Sequence, residues 1–599
     1  MSEIQQSAQI QQVSVITRKT LSDPVSMAKV GESIKRMVLL EEPEGLAPVE
    51  DDDPVEGPIL GIDLGTTNCC CAMVKESGAK RPFVIPSKKG HNTIPSVLAF
   101  NDKGKMLVGH AAHAQMEINP AQTIYGAKRL VGRPFDSPVV AQVRDRFHYD
   151  IVAGPDGLAA VKVAGRILSL GQVSTFILAD IRENAEAYLG KEIQRAVITV
   201  PAFYNENQRQ AVRLSGEMAG LKVERILNEP TAAALAYGHA RNMEAQVLMV
   251  YDLGGGTFDA TVLNMKQGAF EVISTGGDTF LGGVDFDAQL MDHLLLEFQI
   301  ELGGRMPEMD RVAFLRVLGA AENVKRALTS KTKVEMKLPY IGKLDGEPLD
   351  MNILVTREIL DDLVRPLVQR TLDTCDAVLA NRSMKVEDID EILLVGGQTR
   401  MPLVREMIQT YFGKEPLKGV HPDESVAIGA ALLGGSMADE DQDIFELIDV
   451  LPISIGTGVP GGTFRNIITG GTTLPARRIW GLSTWQDNQT EIFIPIYQGE
   501  SVQADENEAL GILELKGLTP APAGKVIEVD FSLSSECLLM VTAKERGGAA
   551  LKDVSIRSAI GLGRKAAVVS PSKGHVATDE KPAKSGGFFS RLKRLLGGK

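Results

Sequence analysis

Cysteine is scarce and oddly placed: there are five, three of them the consecutive Cys69, Cys70 and Cys71, and none in a CxxC spacing. An odd set without paired spacing excludes a disulfide-stapled scaffold and suits a reducing compartment, with the triple run read as small core packing. Tryptophan is scarcer still, at two residues, Trp480 and Trp485. Positive charge is in deficit, 64 Lys and Arg against 77 Asp and Glu, a net charge of -13. That balance argues against a nucleic-acid binder, because phosphate backbones are held mainly through excess Lys and Arg. No apolar run is long enough to span a bilayer. The opening "MSEIQQSAQIQQ" has no basic-then-apolar secretory pattern, so a cytoplasmic location is expected and the sequon Asn488-Gln489-Thr490 reads as chance. There is no GxxxxGK[ST] stretch, which excludes a P-loop ATPase. "GTGVPG", Gly456 to Gly461, matches GxGxxG in form, but Pro460 and the strand-like "TFRNIITGGTT" after it deny it a helix N-terminus.

What is present is length and apolar content: 599 residues at 44% hydrophobic predict several domains with real cores. Residues 1–57 run into "EEPEGLAPVEDDDPVEGP" and read as an acidic, disordered extension with one short helix near Met27 to Leu40. Residues 58–443 alternate short β-branched strands with helical patterns, an α/β signature. Residues 444–451, after the acidic "ADEDQD", read as an interdomain linker. Residues 452–561 become strands and turns, such as "IFIPIY" and "VIEVDFSL", which predict an antiparallel β-sandwich. Residues 562–599 read as a flexible tail with a basic amphipathic end.

The chemistry is concentrated in "VYDLGGGTFDATV", Val250 to Val262. An apolar strand runs into Asp252, three glycines, Thr257 and Asp259, then turns apolar again, so the polar stretch lies in a hairpin mouth. Glycines strip that mouth of side chains and let backbone N–H groups approach an anion, while the flanking carboxylates suit a hydrated cation. "ILGIDLGTTNCCCAMV", Ile59 to Val74, repeats the grammar around Asp63. Two Asp-Leu-Gly hairpins so far apart suggest a duplicated fold whose halves grip one polyphosphate. Lys128, in "GAKRLVGRPF", is read as a surface lysine or as one that reaches a terminal phosphate. Glu229, in "ILNEPTAAALAYG", sits where a strand meets a proline-started helix and is read as a helix-end charge or a catalytic carboxylate. "ILLVGGQTRMP" offers paired glycines against which a flat base could lie. In "AENVKRALTS", Glu322, Lys325, Arg326 and Thr329 share a helical face, either a ribose and base grip or a solvated surface.

Taken together in this order, "GIDLGTTN", "AVITVPAFYNENQRQAV", "RILNEPTAAALAYG", "DLGGGTFD", "GDTFLGGVDFD", "ILLVGGQTRMP", "HPDESVAIGAA", "LSTWQDNQTEI" and "QGES" make the chain resemble the Hsp70 (DnaK-type) molecular chaperones from about Ile59 to Gly561. The resemblance implies an α/β actin-like (ribonuclease H-like, duplicated) two-lobed ATPase domain, followed by an antiparallel β-sandwich that holds extended polypeptide. It implies ATP and ADP with Mg2+, and K+ as a further cation. Asp63 and Asp252 would hold the magnesium through water. Lys128, Glu229 and Asp259 would arrange the attacking water. Gly65, Thr66, Thr67, Asn68, Gly254, Gly255, Gly256 and Thr257 would hold phosphates. Gly282, Gly283, Glu322, Lys325, Arg326, Thr329, Gly396, Gly397, Gln398, Arg400 and Asp423 would complete the nucleotide site. Pro201 and Arg209 match an interlobe relay, and Arg225, Asn228, Thr231 and Asp449 match surfaces used by J-domain partners.

Four departures from the family bear on the chaperone cycle. The linker reads "IFELID", with Glu446 where the family has a run of leucines; burying that carboxylate unpaired would cost several kcal/mol. The peptide-contacting positions become Thr457, Pro460, Leu482, Trp485, Ile492 and Ile494; the tryptophan is large enough to narrow a groove. No helical lid is expected after "IRSAIGLG". The tail "FFSRLKRLLGGK" puts Phe588, Phe589, Leu592, Leu595 and Leu596 on one helical side with Arg591, Lys593 and Arg594 flanking, which suits an anionic membrane surface or a partner groove. The function expected is ATP-dependent binding of unfolded polypeptide, with a J-domain co-chaperone and a nucleotide exchange factor as partners. The alternative is an ATP-holding scaffold or co-chaperone with one fixed partner.

Overall fold

In a computed structural model, the structure describes residues 57–558 apart from short segments, among them 76–80, 241–245, 439–444 and 459–461, and single positions such as 485. The acidic extension, the tail, Pro460 and Trp485 lie outside the described residues. The chain divides into two compact units: Pro54–Gly154 with Leu158–Pro452, and a second that starts at Ile453.

The first unit is mixed α/β. Its two principal sheets are built alike. In one, strand Ile59–Asp63 forms an antiparallel hairpin with Asn68–Val74 and pairs in parallel with Arg195–Val200, which pairs in parallel with Lys222–Asn228. In the other, Gln246–Leu253 forms an antiparallel hairpin with Phe258–Lys266 and pairs in parallel with Glu391–Val395. These strands are buried along nearly their whole length, as expected where helices cover a sheet and the sequence runs as β-branched and aliphatic stretches rather than alternating. The alanine-rich helices Glu229–Ala240 and Ser425–Ala438 pack against one another, and Ser425–Ala438 also packs against strand Ile59–Asp63. Their small residues set the approach: a Cβ on Gly429 would lie 1.7 Å from the carbonyl oxygen of Ala232, so the two backbones touch where any side chain would part them.

The segment expected to link the domains is not free chain. Glu446–Ile448 adds a strand, parallel to Ala269–Asp278, at the edge of the second sheet, and Val450 and Leu451 are buried. Glu446 stays exposed, so its carboxylate keeps its water and the desolvation cost of burying it does not arise.

Apart from the 3-10 turn Ala504–Glu506, the regular structure of the second unit is β over its described residues. One sheet has five strands, ordered Phe464–Ile468, Ile455–Gly458, Glu491–Gln498, Glu508–Lys516, Asp553–Ser558; the other has three, ordered Ala476–Ser483, Val526–Leu533, Leu539–Glu545. All neighbours are antiparallel. Val526–Leu533 alternates half-buried and buried residues with Ile527, Val529, Phe531 and Leu533 inside, the period-2 pattern of a sheet with one core face. The GxGxxG look-alike starts on strand Ile455–Gly458, and the next regular element is the strand Phe464–Ile468 rather than a helix.

Candidate functional site

Two turns meet at the centre of the first unit. A Cβ on Gly255 would stand 2.0 Å from the Thr67 hydroxyl oxygen, and one on Gly256 would stand 2.6 Å from the Thr66 methyl. The hydroxyl turn of the first hairpin therefore occupies the space that the second hairpin leaves by having no side chains. Gly65 makes its own tight turn, with room for a Cβ closed by the Asn68 carbonyl at 2.0 Å, while the Asn68 side chain is exposed.

Four carboxylates and one ammonium converge behind these turns. Asp63 ends the first strand and accepts a long contact, 3.5 Å, from the Thr199 hydroxyl. Asp252 and Asp259 face each other across the second hairpin, in register. Asp259 accepts the Phe203 N–H at 3.0 Å. Glu229, where strand Lys222–Asn228 meets its helix, receives the Lys128 ammonium at 2.6 Å. Lys128 is thus no surface residue: it lies on a buried 3-10 turn, Ala127–Arg129, and the Tyr204 hydroxyl donates to its carbonyl at 2.7 Å.

The electrostatics follow from crowding like charges in a place with little water. Burial, then Glu229, pushes Asp63 and Asp259 up to about 7. Burial pushes Asp252 well above the usual carboxylate range, with Glu229, Asp259 and Asp63 adding to it. Burial alone would lower the Lys128 ammonium, but Glu229, Tyr204 and Asp63 outweigh it and hold Lys128 above its ordinary value. The site carries more negative charge than Lys128 neutralises, which fits a divalent cation.

Around this centre, Gly282 and Gly283 lie against the second turn: Gly283 N–H donates to Gly254 O at 3.0 Å and Val284 N–H to Gly255 O at 2.9 Å. The Lys325 ammonium donates to Gly283 O at 3.0 Å and pairs with Asp287 at 2.8 Å. A Cβ on Gly283 would sit 3.1 Å from the Gln398 side-chain oxygen and 3.3 Å from the Lys325 ammonium, so these residues share one surface. Gly396, at φ 83, approaches so closely that a Cβ would meet Leu253 O at 2.3 Å and the Asp252 carboxylate at 2.8 Å. Gly397 lies beside Asp423, which pairs with Arg400 at 2.6 Å. Thr257 is buried; Glu322, Arg326 and Thr329 stay on the wet side of helix Arg311–Leu328 and its C-cap, Glu322 and Arg326 within 3.9 Å of each other.

Pro201 and Arg209 are buried, Arg209 spending its donors on the carbonyls of Tyr204 and Ala202 at 3.1 and 2.9 Å. Asp449, from the linker strand's end, accepts from Asn228 at 2.6 Å and Thr231 at 3.5 Å. Asn228 and Thr231 are consequently buried instead of presenting an open surface, and Arg225 is half-buried. In the second unit, Thr457, Ile492 and Ile494 are buried and Leu482 is half-buried; the Thr457 hydroxyl is spent on Pro495 O at 2.8 Å. These four are not drawn together by any shared hydrogen bond or ion pair.

Sequence reasoning missed Thr199, Tyr204, Asp285 and Asp287 as site neighbours. Asp285 was visible as an acid at a helix start in "GDTFLGGVDFD", and Asp287 as the last acid of that stretch. Thr199 and Tyr204 carried no local signal.

The profile of the family described as Hsp70 protein matches residues 59–584. The chain is 44% identical over 520 residues to the "Heat shock 70 kDa protein, mitochondrial" of Solanum tuberosum, covering 86% of this chain and 75% of that one. It is 43% identical over 514 residues to the protein of the same name from Pisum sativum, covering 85% and 74%. Both relatives are mitochondrial by name, which overturns the expected cytoplasmic location. That expectation rested on cysteine usage and the opening residues, and scarce unpaired cysteine speaks for a reducing compartment without telling one such compartment from another.

Proposed function

The chain belongs to the Hsp70 family and is an Hsp70-type molecular chaperone, and from that premise we propose that its first unit is a two-lobed, actin-like ATPase that hydrolyses ATP slowly to ADP and phosphate. The observation that carries this reading is the meeting of the two turns over four carboxylates and Lys128. Bare backbone at Gly254 to Gly256 and the hydroxyls of Thr66 and Thr67 hold the phosphates. Asp63 and Asp252 would hold magnesium, and the cation would supply charge compensation on the phosphate oxygens when bound. Lys128, fixed by Glu229, faces the terminal phosphate as a full positive charge. Asp259 and Glu229 orient a water for attack on that phosphorus; the bond to the leaving ADP oxygen breaks, and the proton passes to solvent. Nothing here needs a protein nucleophile, because phosphoryl transfer is catalysed mainly by positioning and charge compensation. The paired glycines Gly396 and Gly397, with Lys325, Arg400 and Asp423, receive the nucleoside.

The second unit binds extended segments of unfolded polypeptide, with the half-buried Leu482 as an apolar contact. A J-domain co-chaperone meets the first unit near Arg225 and Asp449. No observation favours the fixed-partner scaffold. The test is ATP turnover by the full chain with and without magnesium. Wild type is expected to turn over only with the cation, and Asp252→Ala to lose at least about a hundredfold; equal rates in the two proteins would refute the reading.

A further inference from the structure

Lys128 has a neighbour that the mechanism above does not use. Arg129 is buried, with a side chain 6% exposed. Its Nε donates to Gly256 O at 2.9 Å, and its two terminal nitrogens reach the Asp285 carboxylate at 3.5 and 2.5 Å. Its guanidinium lies 5.3 Å from the Phe280 ring, on which Arg133 also rests at 5.3 Å. Asp285 in turn accepts the Gly282 N–H at 2.9 Å, and Gly282 packs so tightly on the second turn that a Cβ there would stand 2.4 Å from the Gly256 nitrogen.

The second turn is held by its carbonyls. Gly254 O takes Gly283 N–H, Gly255 O takes Val284 N–H, and Gly256 O takes Arg129. Two of the three donors come from the start of helix Gly283–Glu301, reached only after the strands Phe258–Lys266 and Ala269–Asp278. The third comes from residue 129, 127 positions away and next to the lysine. With every carbonyl occupied, the N–H groups of Gly255 and Gly256 have no partner among the described residues, and such N–H groups are what an anionic phosphate binds. A guanidinium is suited to this because its planar fork can serve a carbonyl and a carboxylate at once, which a lysine ammonium on a flexible stem does not reproduce.

We propose that Arg129 is a positioning residue for ATP hydrolysis: it straps the Gly254–Gly256 turn to the segment carrying Lys128, and so fixes the distance between the phosphate-binding backbone and the ammonium. The proposal rests on the reading of this cleft as the site of ATP hydrolysis. If Arg129 supplied only positive charge near the phosphates, lysine would replace it. As a strap it is not replaced by lysine, and the deficit falls on the chemical step, because ground-state binding still draws on the remaining N–H groups and hydroxyls while the near-attack geometry is lost.

The experiment measures steady-state ATP turnover and ADP affinity of the full chain for wild type, Arg129→Lys and Arg129→Gly, the last with and without millimolar methylguanidinium. Expected are a kcat lower by about tenfold or more in Arg129→Lys with KM within about threefold, and partial return of kcat in Arg129→Gly on adding methylguanidinium but not methylammonium. Asp285→Asn, which removes the charge that anchors the strap while keeping its shape, is expected to lower kcat by about threefold and serves if either arginine variant does not fold. Wild-type kcat in Arg129→Lys, equal rescue by both cations, or an unchanged kcat in Asp285→Asn would overturn the strap. A wild-type protein without turnover would instead overturn the reading of the cleft.

Discussion

The two hairpins share a plan and differ at the place where they would be expected to match. Across from Asp252 in the second hairpin stands Asp259, whereas across from Asp63 in the first stands Cys70. One half therefore carries two carboxylates and bare glycines; the other carries one carboxylate, two threonines and a buried thiol. The difference teaches that the duplicated halves are complementary rather than redundant: hydroxyl side chains from one fill the volume that glycines vacate in the other, and the excess negative charge collects on one side, where Lys128 and Glu229 meet it.

Removing the counter-charge breaks this arrangement most severely. In Lys128→Met, Glu229 is left buried beside three other carboxylates without its ammonium, which is expected to cost about 3–5 kcal/mol of stability by urea denaturation. The double variant Lys128→Met with Glu229→Gln should regain more than half of that loss; no recovery would mean that the pair is not what the charge asymmetry rests on. Next in size is the fit between the turns. Gly255→Ala places a methyl where the Thr67 hydroxyl stands, 2.0 Å away, whereas at Gly254 the nearest group to an added Cβ is Thr257 O at 3.6 Å. Turnover is expected to fall about a hundredfold in the first, equivalent to about 2.7 kcal/mol, and by less than about threefold in the second. Similar losses in both would show that backbone freedom, not the facing threonine, is what the glycines provide.

The smallest effect concerns protons. Asp259 sits at about 7 when folded, from an ordinary 3.8, so the folded protein holds that proton more tightly than the unfolded chain. Stability from this group is therefore full below about pH 4 and is lost as pH rises through about 7. Without nucleotide, the unfolding free energy of Asp259→Asn in urea should exceed that of wild type by a margin that widens across this window, amounting to a few kcal/mol at most. Magnesium and ADP should narrow the margin, since the cation compensates the charge. A margin that shrinks with rising pH would contradict the crowding of carboxylates on this half.

Much of this was legible in the sequence because the chemistry demands particular residue types at close spacing. Asp-Leu-Gly-Gly-Gly-Thr between two apolar runs allows few backbone solutions, and Glu229 before Pro230 marks a strand-to-helix junction whatever the tertiary structure. Lys128 stayed ambiguous, since its burial depends on Glu229 and Tyr204, 101 and 76 positions away. Arg129 with Asp285 was illegible for the same reason, at a separation of 156. The linker misled in a different way. Three residues of "ELI" are too short to declare themselves as a strand; only the open edge of Ala269–Asp278 makes them one. In the sandwich, burial of Thr457, Ile492 and Ile494 is set by which face of each strand points inward, which alternation showed for Ile492 and Ile494 within "EIFIPIYQ" but not for the short strand of Thr457.

The cysteines that opened the sequence as a scarcity give the molecule a set of built-in reporters. All five are buried, four in the first unit and Cys537 in the second, and burial pushes Cys69 and Cys71 up to about 12. Such thiols stay protonated and shielded at neutral pH, so an alkylating reagent reaches them only when the surrounding sheet opens. Labelling followed by peptide mapping would then clock the opening of each unit independently in unmodified protein, with no dye or tag introduced.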